Sequence, residues 1–280
     1  MMDIRFNILN EKVSKFIIVE SKFSHSGREK KLNFDINNYK KFKDKIIYLV
    51  IEKEPENILK IDDSGDSLGI QRLNSLKRIE QSYDFMQNGL NEANENDLIL
   101  LSDNDEIPNL DSDKFVKSTK DIFIFRQLFF YYKFNLLYNS MFWYGTKGCK
   151  KKKLVSMSRL RNLKNKKYPF WRFDTLFSKN KYTNLEIIEN GGWHFTNLKS
   201  PEDLFEKMKN FGHHNEFDKS GIGIEDIRKK IEKHELFYDH FLDQSDPKKW
   251  NSNYKLKKTE LNILPKYIQE NESNLKDWLA

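Results

Sequence analysis

Cysteine is almost absent. The single Cys149 among 280 residues excludes an intramolecular disulfide and a multi-cysteine metal site. Long apolar runs are missing as well. No stretch approaches the roughly 18 apolar residues a spanning helix needs, and mean hydropathy is −0.78, so a membrane-embedded protein is excluded. Met1 to Asn10 lacks a basic-then-apolar signal pattern, so no export is expected and the protein reads as soluble and cytoplasmic. Arginine is scarce, with 9 against 40 lysines. The net charge of +7 would suit a nucleic-acid binder. Such surfaces, however, rely on the bidentate fork of arginine. With 28 asparagines beside the lysines, compositional bias is the simpler account, and most of the charge is read as solvated surface. No internal repeat or low-complexity linker divides the chain, and its length fits one domain.

What is present is enough for a core: 38% hydrophobic residues and 14% aromatic. Four short apolar runs read as buried strands: Phe16–Val19, Ile46–Ile51, Leu98–Leu101 and Ile122–Phe125. Unbroken runs of this kind suit strands covered on both faces, as in parallel sheets. Between the second and third, Leu73, Leu76, Ile79, Tyr83, Met86 and Leu90 recur at helical spacing, with Gly89 near the end. Strand, helix, strand implies a right-handed crossover and a parallel pair, hence a layered α/β domain. A dense aromatic belt from Phe129 to Tyr144 follows, then the basic run Lys150–Lys153. Leu154, Val155 and Met157 suggest a further strand. The last third reads as helical. Ser200-Pro201-Glu202-Asp203 is a strong helix start, with Leu204, Met208 and Phe211 as its apolar face and Gly212 as its stop. A second helix is expected from Ile224 through Ile231, and a helical tail from Leu264 to Leu279.

The segment Leu98 to Pro108 is the most informative for chemistry. A buried strand delivers Asp103, Asp105 and Glu106 to its carboxyl end, where ligands of open α/β sheets bind. Three acids within four positions repel one another unless a cation or a proton relieves them. An oxygen-only set suits Mg²⁺ or Mn²⁺, which would neutralise a diphosphate leaving group. The bland alternative is a solvated acidic turn closed by Pro108. A calcium-binding loop fails on spacing, because Pro108 stands where glycine is needed and Lys114 where the bidentate glutamate should be. Asp62 to Asp66 fails likewise, with Ser67 at the glycine position, and reads as an ordinary turn.

Ser102-Asp103-Asn104-Asp105-Glu106-Ile107-Pro108 resembles the signature of glycosyltransferase family 17. Other stretches resemble that family in the same order. They are Phe16 to Glu20 with Ser24-His25-Ser26-Gly27 and Lys30; Phe42 to Ile47; and Tyr131 to Asn135 with Trp143 and Gly145. Arg161, Gly191 to Phe195, Phe211 to Phe217 and Leu264-Pro265-Lys266-Tyr267 continue the series. The resemblance implies a single domain over 1–280 with a GT-A-like fold and a mostly parallel central sheet with flanking helices. Residues 1–126 would form the nucleotide-sugar half, 127–240 the acceptor and catalytic half, and 241–280 a helical tail. The family usually begins with a strand ahead of the segment that Asp3–Leu9 resembles, so the sheet is expected to lack that first strand. The implied activity is that of an inverting, metal-dependent hexosyltransferase similar to a β-1,4-N-acetylglucosaminyltransferase. It would use a UDP-sugar donor, with N-acetylglucosamine the expected sugar, an Mn²⁺ or Mg²⁺ ion, and a glycan or glycolipid acceptor. The runner-up is a catalytically impaired relative that binds glycans or forms complexes, and a basic nucleic-acid binder comes third.

Carried over by position, Asp103 and Asp105 hold the metal and, through it, the donor diphosphate, with Glu106 supporting the site or facing the sugar. Inversion needs a carboxylate base opposite the leaving group. Glu216 is the first candidate, then Asp174 and Glu106. His194, after two glycines, is either a third metal ligand, a phosphate contact or a structural histidine beside Trp193. His213 and His214 are either site groups or the solvated end of a helix. Glu20, Ser26 and Gly27 line the nucleotide or form an ordinary strand-to-loop turn, and Arg161 joins the donor site. Where the family carries Gln-Arg-Asn ahead of the acidic strand, this chain reads Glu80 to Phe85 without arginine. Arg72, roughly two to three turns earlier, and Arg78 are the substitutes. Trp143 or Tyr132 would serve as an acceptor platform, or the aromatic belt is simply core.

Overall fold

The computed structural model describes residues 1–60, 67–175, 177–178, 181–210, 214–243, 246–250 and 252–280. The expected turn at Asp62–Asp66 and the residues Phe211, Gly212 and His213 lie outside the described residues.

The chain opens with α1 (Met2–Leu9), which buries Ile4, Phe6 and Leu9. Next come β1 (Phe16–Ser21), a 3-10 stretch, and β2 (Ile46–Ile51). These two strands pair in parallel as a small sheet of their own. Helix α2 (Ser67–Asp84) follows, extended by a 3-10 turn that ends at Gly89. Then come β3 (Leu98–Leu101), β4 (Glu106–Pro108), α3 (Asp113–Lys117), β5 (Ile122–Tyr131), β6 (Leu136–Leu137) and β7 (Trp143–Lys150). The remainder is α4 (Met157–Arg161), β8 (Leu185–Ile188), β9 (Gly192–Thr196), α5 (Pro201–Asn210), α6 (His214–Ser220) and α7 (Ile224–Glu232). The chain closes with β10 (Lys257–Lys258), α8 (Lys266–Glu270) and α9 (Glu272–Leu275).

The long apolar strand β5 is the spine of the main sheet. One edge pairs antiparallel with β7 and β6. The other pairs parallel with β8 along its first half and with β9 along its second. Beyond these, β3 joins β7, β4 joins β9 and β10 joins β6, all antiparallel. The sheet is therefore mixed and curled rather than mostly parallel, which corrects the expected architecture; a mixed α/β fold stands. The error has a physical source. An unbroken apolar run records burial on both faces and says nothing about the direction of its neighbours.

All four expected strands are present, and β5 runs well beyond its expected end. The parallel pair of the second and third strands is not formed, because β2 pairs with β1 and β3 with β7. Helix α2 also turns differently from its apolar period. Leu73 and Leu76 are exposed while Asn74 and Ser75 are buried. Asn74 accepts from the Leu59 amide and donates to the Leu59 carbonyl, both at 2.8 Å, so its side chain satisfies both backbone groups of Leu59. The expected strand at Leu154–Met157 is instead a helix start. The Ser156 hydroxyl accepts from the Arg159 amide and caps α4. The helix start at Ser200 is as expected, with the Asp203 amide bonded to the Ser200 hydroxyl at 3.1 Å and Leu204 and Met208 buried. Tyr132 is core, not a sugar platform. It is 1% exposed and its hydroxyl donates to the Glu235 carbonyl. Among the described residues no helix is long and apolar enough to cross a membrane.

Candidate active site

The register of three strands assembles the site. Glu106 on β4 stands opposite His194 on β9, and His194 stands opposite Phe129 on β5. Cross-strand partners share a face of a sheet, so a carboxylate, an imidazole and a phenyl ring lie in one row. Trp143, the first residue of β7, completes the cluster. Its ring stacks on His194 at 4.6 Å between centroids, and Phe129 stacks on the same imidazole at 4.7 Å. Gly145 is required here. A Cβ at that position would come within 2.3 Å of the Gln127 Oε1 and 2.6 Å of both the Glu106 carboxyl carbon and the Trp143 ring.

The acidic corner is held by the chain's own donors. Glu106 is 0% exposed. Its Oε1 accepts from the Trp143 indole at 2.7 Å and from Arg161 at 3.4 Å, and its Oε2 accepts from the Asp103 amide at 3.1 Å. The Arg5 guanidinium donates to the Glu106 carbonyl. Asp103 accepts from the Tyr83 hydroxyl at 3.0 Å and from Arg161 at 2.6 Å. Arg161 also donates to the Tyr83 hydroxyl and the Gly145 carbonyl. The Asp105 carboxylate lies 3.4 Å from the His194 Nε2. Ser102 and Thr146 share a hydrogen bond at 2.8 Å that ties the end of β3 to β7.

The charges divide accordingly. Burial and the neighbouring Asp103 raise the pKa of Glu106, outweighing Arg161, His194 and the indole. Burial also opposes ionisation of Asp105, but His194 and Lys207 hold its pKa below the ordinary carboxylate value. Burial pulls Arg161 down, yet Asp103 and Glu106 raise it above the usual guanidinium value. On the far side of Phe129 stands His240, whose ring packs edge-on to Phe129 and whose Nε2 meets the Tyr131 hydroxyl. Burial first, then Lys249 and His194, lower its pKa to about 4. Two buried polar atoms of this cluster, the Gln127 Oε1 and the His194 Nδ1, have no hydrogen-bond partner among the described residues.

Of the expected site residues, the structure brings Asp103, Asp105, Glu106, His194 and Arg161 together. Glu216 lies in the first turn of α6, half-buried, and adds to the rise in the Tyr238 pKa that burial chiefly causes. Tyr238 in turn packs edge-on to His240. Asp174 sits on an exposed turn with its oxygens held by Arg172 at 2.7 Å and Lys181 at 2.8 Å. Those bonds hold its pKa far below the carboxylate range, which makes it a poor proton acceptor. Arg72 is exposed on α2. Arg78 instead stands at the Ser24–Gly27 turn, donating to the His25 carbonyl at 3.2 Å and packing against Gly27. Ser26 bonds Ser24, and Gly27 adopts φ +88. Glu20 accepts from Lys30, the Asn33 and Phe34 amides and the Tyr48 hydroxyl, a bonding pattern that organises its own loop. The side chain of His214 is outside the described residues.

Several members were not found from sequence. In the sequence Tyr83 reads only as part of an apolar helix face, and nothing marks Arg5, Lys207 or His240. His25 belongs to a matching motif, but the sequence does not reveal that its imidazole, whose pKa burial lowers, lies close enough to Asp103 to feel its charge. Both Asp103 oxygens are taken by Tyr83 and Arg161, and Asp105 faces His194. Among the described residues no three His, Cys, Asp or Glu side chains stand together as a metal-holding group. As arranged, the residues do not fit a formed metal site; the repulsion among the three acids is relieved by Arg161 and His194.

Neither the curated proteins nor the solved structures yield a match to the chain. The profile of glycosyltransferase family 17 matches residues 1–277, almost the whole of it. The chain therefore belongs to glycosyltransferase family 17, and glycosyl transfer is the general activity that membership carries.

Proposed function

We propose that this chain moves N-acetylglucosamine from a UDP-sugar to a glycan or glycolipid hydroxyl, with inversion at the anomeric carbon. The observation that carries the reading is the acidic corner after β3. There Asp103, Asp105 and Glu106 are gathered with Arg161 and His194 beneath a Trp143 ring. Arg161 bears a fixed cation suited to a diphosphate. Glu106 acts by positioning, since its oxygens are occupied by the indole, the guanidinium and the Asp103 amide. A direct displacement requires one group to take the acceptor's proton as the new glycosidic bond forms and UDP leaves. We assign that role to Glu216, which lies on the flank where Tyr238 and His240 stand, and not to the clamped Asp174. A divalent ion belongs to the proposal only by family likeness. Asp103 and Asp105 would hold it once Arg161 released Asp103, and no step is routed through it.

Melting curves with UDP and with UDP-N-acetylglucosamine, each with Mn²⁺ or with EDTA, test the reading. A donor that binds the folded state raises the melting temperature by mass action, and Asp105→Asn should remove that rise. EDTA leaves the rise intact if the chain's own cations suffice and abolishes it if the ion is needed. Glu216→Gln should keep the rise but slow sugar transfer or donor hydrolysis by about 10²-fold or more. No rise with any UDP-sugar defeats the donor assignment, and full turnover in Glu216→Gln removes the base.

A further inference from the structure

Four large hydrophobic side chains stand in solvent on one short segment. Phe170 is 86% exposed, Trp171 62%, Phe173 76% and Phe177 89%. Single exposed apolar residues are ordinary, but four on one short segment, with Phe170 and Trp171 in ring contact at 5.1 Å, point to an interaction surface. The segment has a built scaffold. Asp174 joins Arg172 and Lys181 across it, and Lys166, Arg172 and Lys181 surround the Tyr168 ring at 5.8 to 5.9 Å. The Arg172 amide bonds the Pro169 carbonyl and the Thr175 amide bonds the Arg172 carbonyl, which closes two successive turns. The polar side chains thus bond one another while the aromatic rings face outward.

The charge of the segment names the partner. In the sequence, Lys164, Lys166, Lys167, Arg172, Lys179 and Lys181 stand against the single acid Asp174. Next to it, Lys153, Val155, Arg159 and Tyr182 share one shallow depression, with Val155 61% exposed and Arg159 over the Tyr182 ring. Exposed aromatic rings and long cationic side chains on one segment match the boundary between acyl chains and anionic headgroups. Rings of the tryptophan and phenylalanine kind settle at that depth, and lysines and arginines reach the phosphates. We propose that Phe170, Trp171, Phe173 and Phe177, flanked by Lys164, Lys166, Arg172 and Lys181, dock the protein on an anionic lipid surface. The segment leaves α4 three residues after Arg161, which bonds Asp103. On the functional reading above, this docking places the acidic corner beside a membrane and favours a lipid-linked acceptor; the docking itself does not depend on that reading.

Sedimentation of the whole protein with vesicles tests the proposal. The probes are phosphatidylcholine vesicles and vesicles mixing phosphatidylcholine with phosphatidylglycerol. The expected result is binding to the mixed vesicles that weakens with salt, and little binding to neutral ones. Replacing Phe170, Trp171, Phe173 and Phe177 together by serine should lower binding at least about tenfold. Trp171→Ser alone should cut the blue shift of tryptophan fluorescence on binding. Because these side chains are solvent-exposed, the melting temperature and any UDP-dependent rise should be unchanged, which separates this proposal from the donor assignment. Absence of binding to mixed vesicles at low salt overturns it. So does equal binding by the four-residue variant. A concentration-dependent dimer lost in that variant would assign the surface to a second copy of the chain.

Discussion

Replacing Arg161 by methionine removes the cation that two acids share, and the structure sets the size of the effect. Glu106 has no exposure to water, so loss of its partner leaves a buried carboxylate with only the indole and one amide. Breaking a buried ion pair from one side costs about 3–5 kcal/mol. The pair with Asp103 adds less, because the Asp103 side chain is 36% exposed and water screens it. Protonation of Glu106, already favoured by burial, relieves part of the loss. We therefore expect destabilisation of about 3 kcal/mol. For a chain of this length that lowers the melting temperature by roughly 6 to 12 °C. The informative comparison is a double-mutant cycle in urea unfolding. Glu106→Gln keeps an oxygen for the Trp143 indole and discards the charge. In that background Arg161→Met should cost at least about 1 kcal/mol less than in the wild type. Equal costs in the two backgrounds, within about 0.5 kcal/mol, would refute the claim that Arg161 neutralises Glu106.

Two further outcomes follow from the same cluster. Gly145→Ala forces a methyl group into contact with Gln127, Glu106 and Trp143, and should destabilise by about 1–3 kcal/mol, read as a lower urea midpoint with an unchanged slope. His240, with a pKa of about 4 in the folded chain against 6.5 unfolded, stays neutral while the unfolded chain takes up a proton. Stability is therefore lost as pH falls from 6.5 towards 4, by about 2 kcal/mol at pH 5. His240→Gln should flatten that part of the stability–pH curve, and an unchanged curve would show that His240 is not its source.

Much of the local structure was legible in the chain. The runs at Phe16, Ile46, Leu98 and Ile122 became strands, Ser200 capped its helix, and the acidic segment emerged at the end of β3. Helix α2 shows the limit of such reading. Its apolar spacing suggested a buried stripe, but Leu73 and Leu76 face solvent because Asn74 turns inward to the Leu59 backbone. Short-range periodicity registers which side chains prefer burial; it does not register a side chain recruited by backbone fifteen residues away.

The sequence by itself determined the family, the order of its motifs, and which carboxylates meet at one turn. Those properties are local, set by residue type and spacing. Only the tertiary structure decided the direction of the strands around β5, the turning of Arg161 and Tyr83 onto Asp103, and the stacking of Trp143 and Phe129 on His194. Each of these contacts joins residues far apart in the chain: 58 positions separate Arg161 from Asp103 and 37 separate Trp143 from Glu106. A carboxylate looks the same in the sequence whether a metal, a proton or a distant guanidinium neutralises it, and only packing brings one of them within reach.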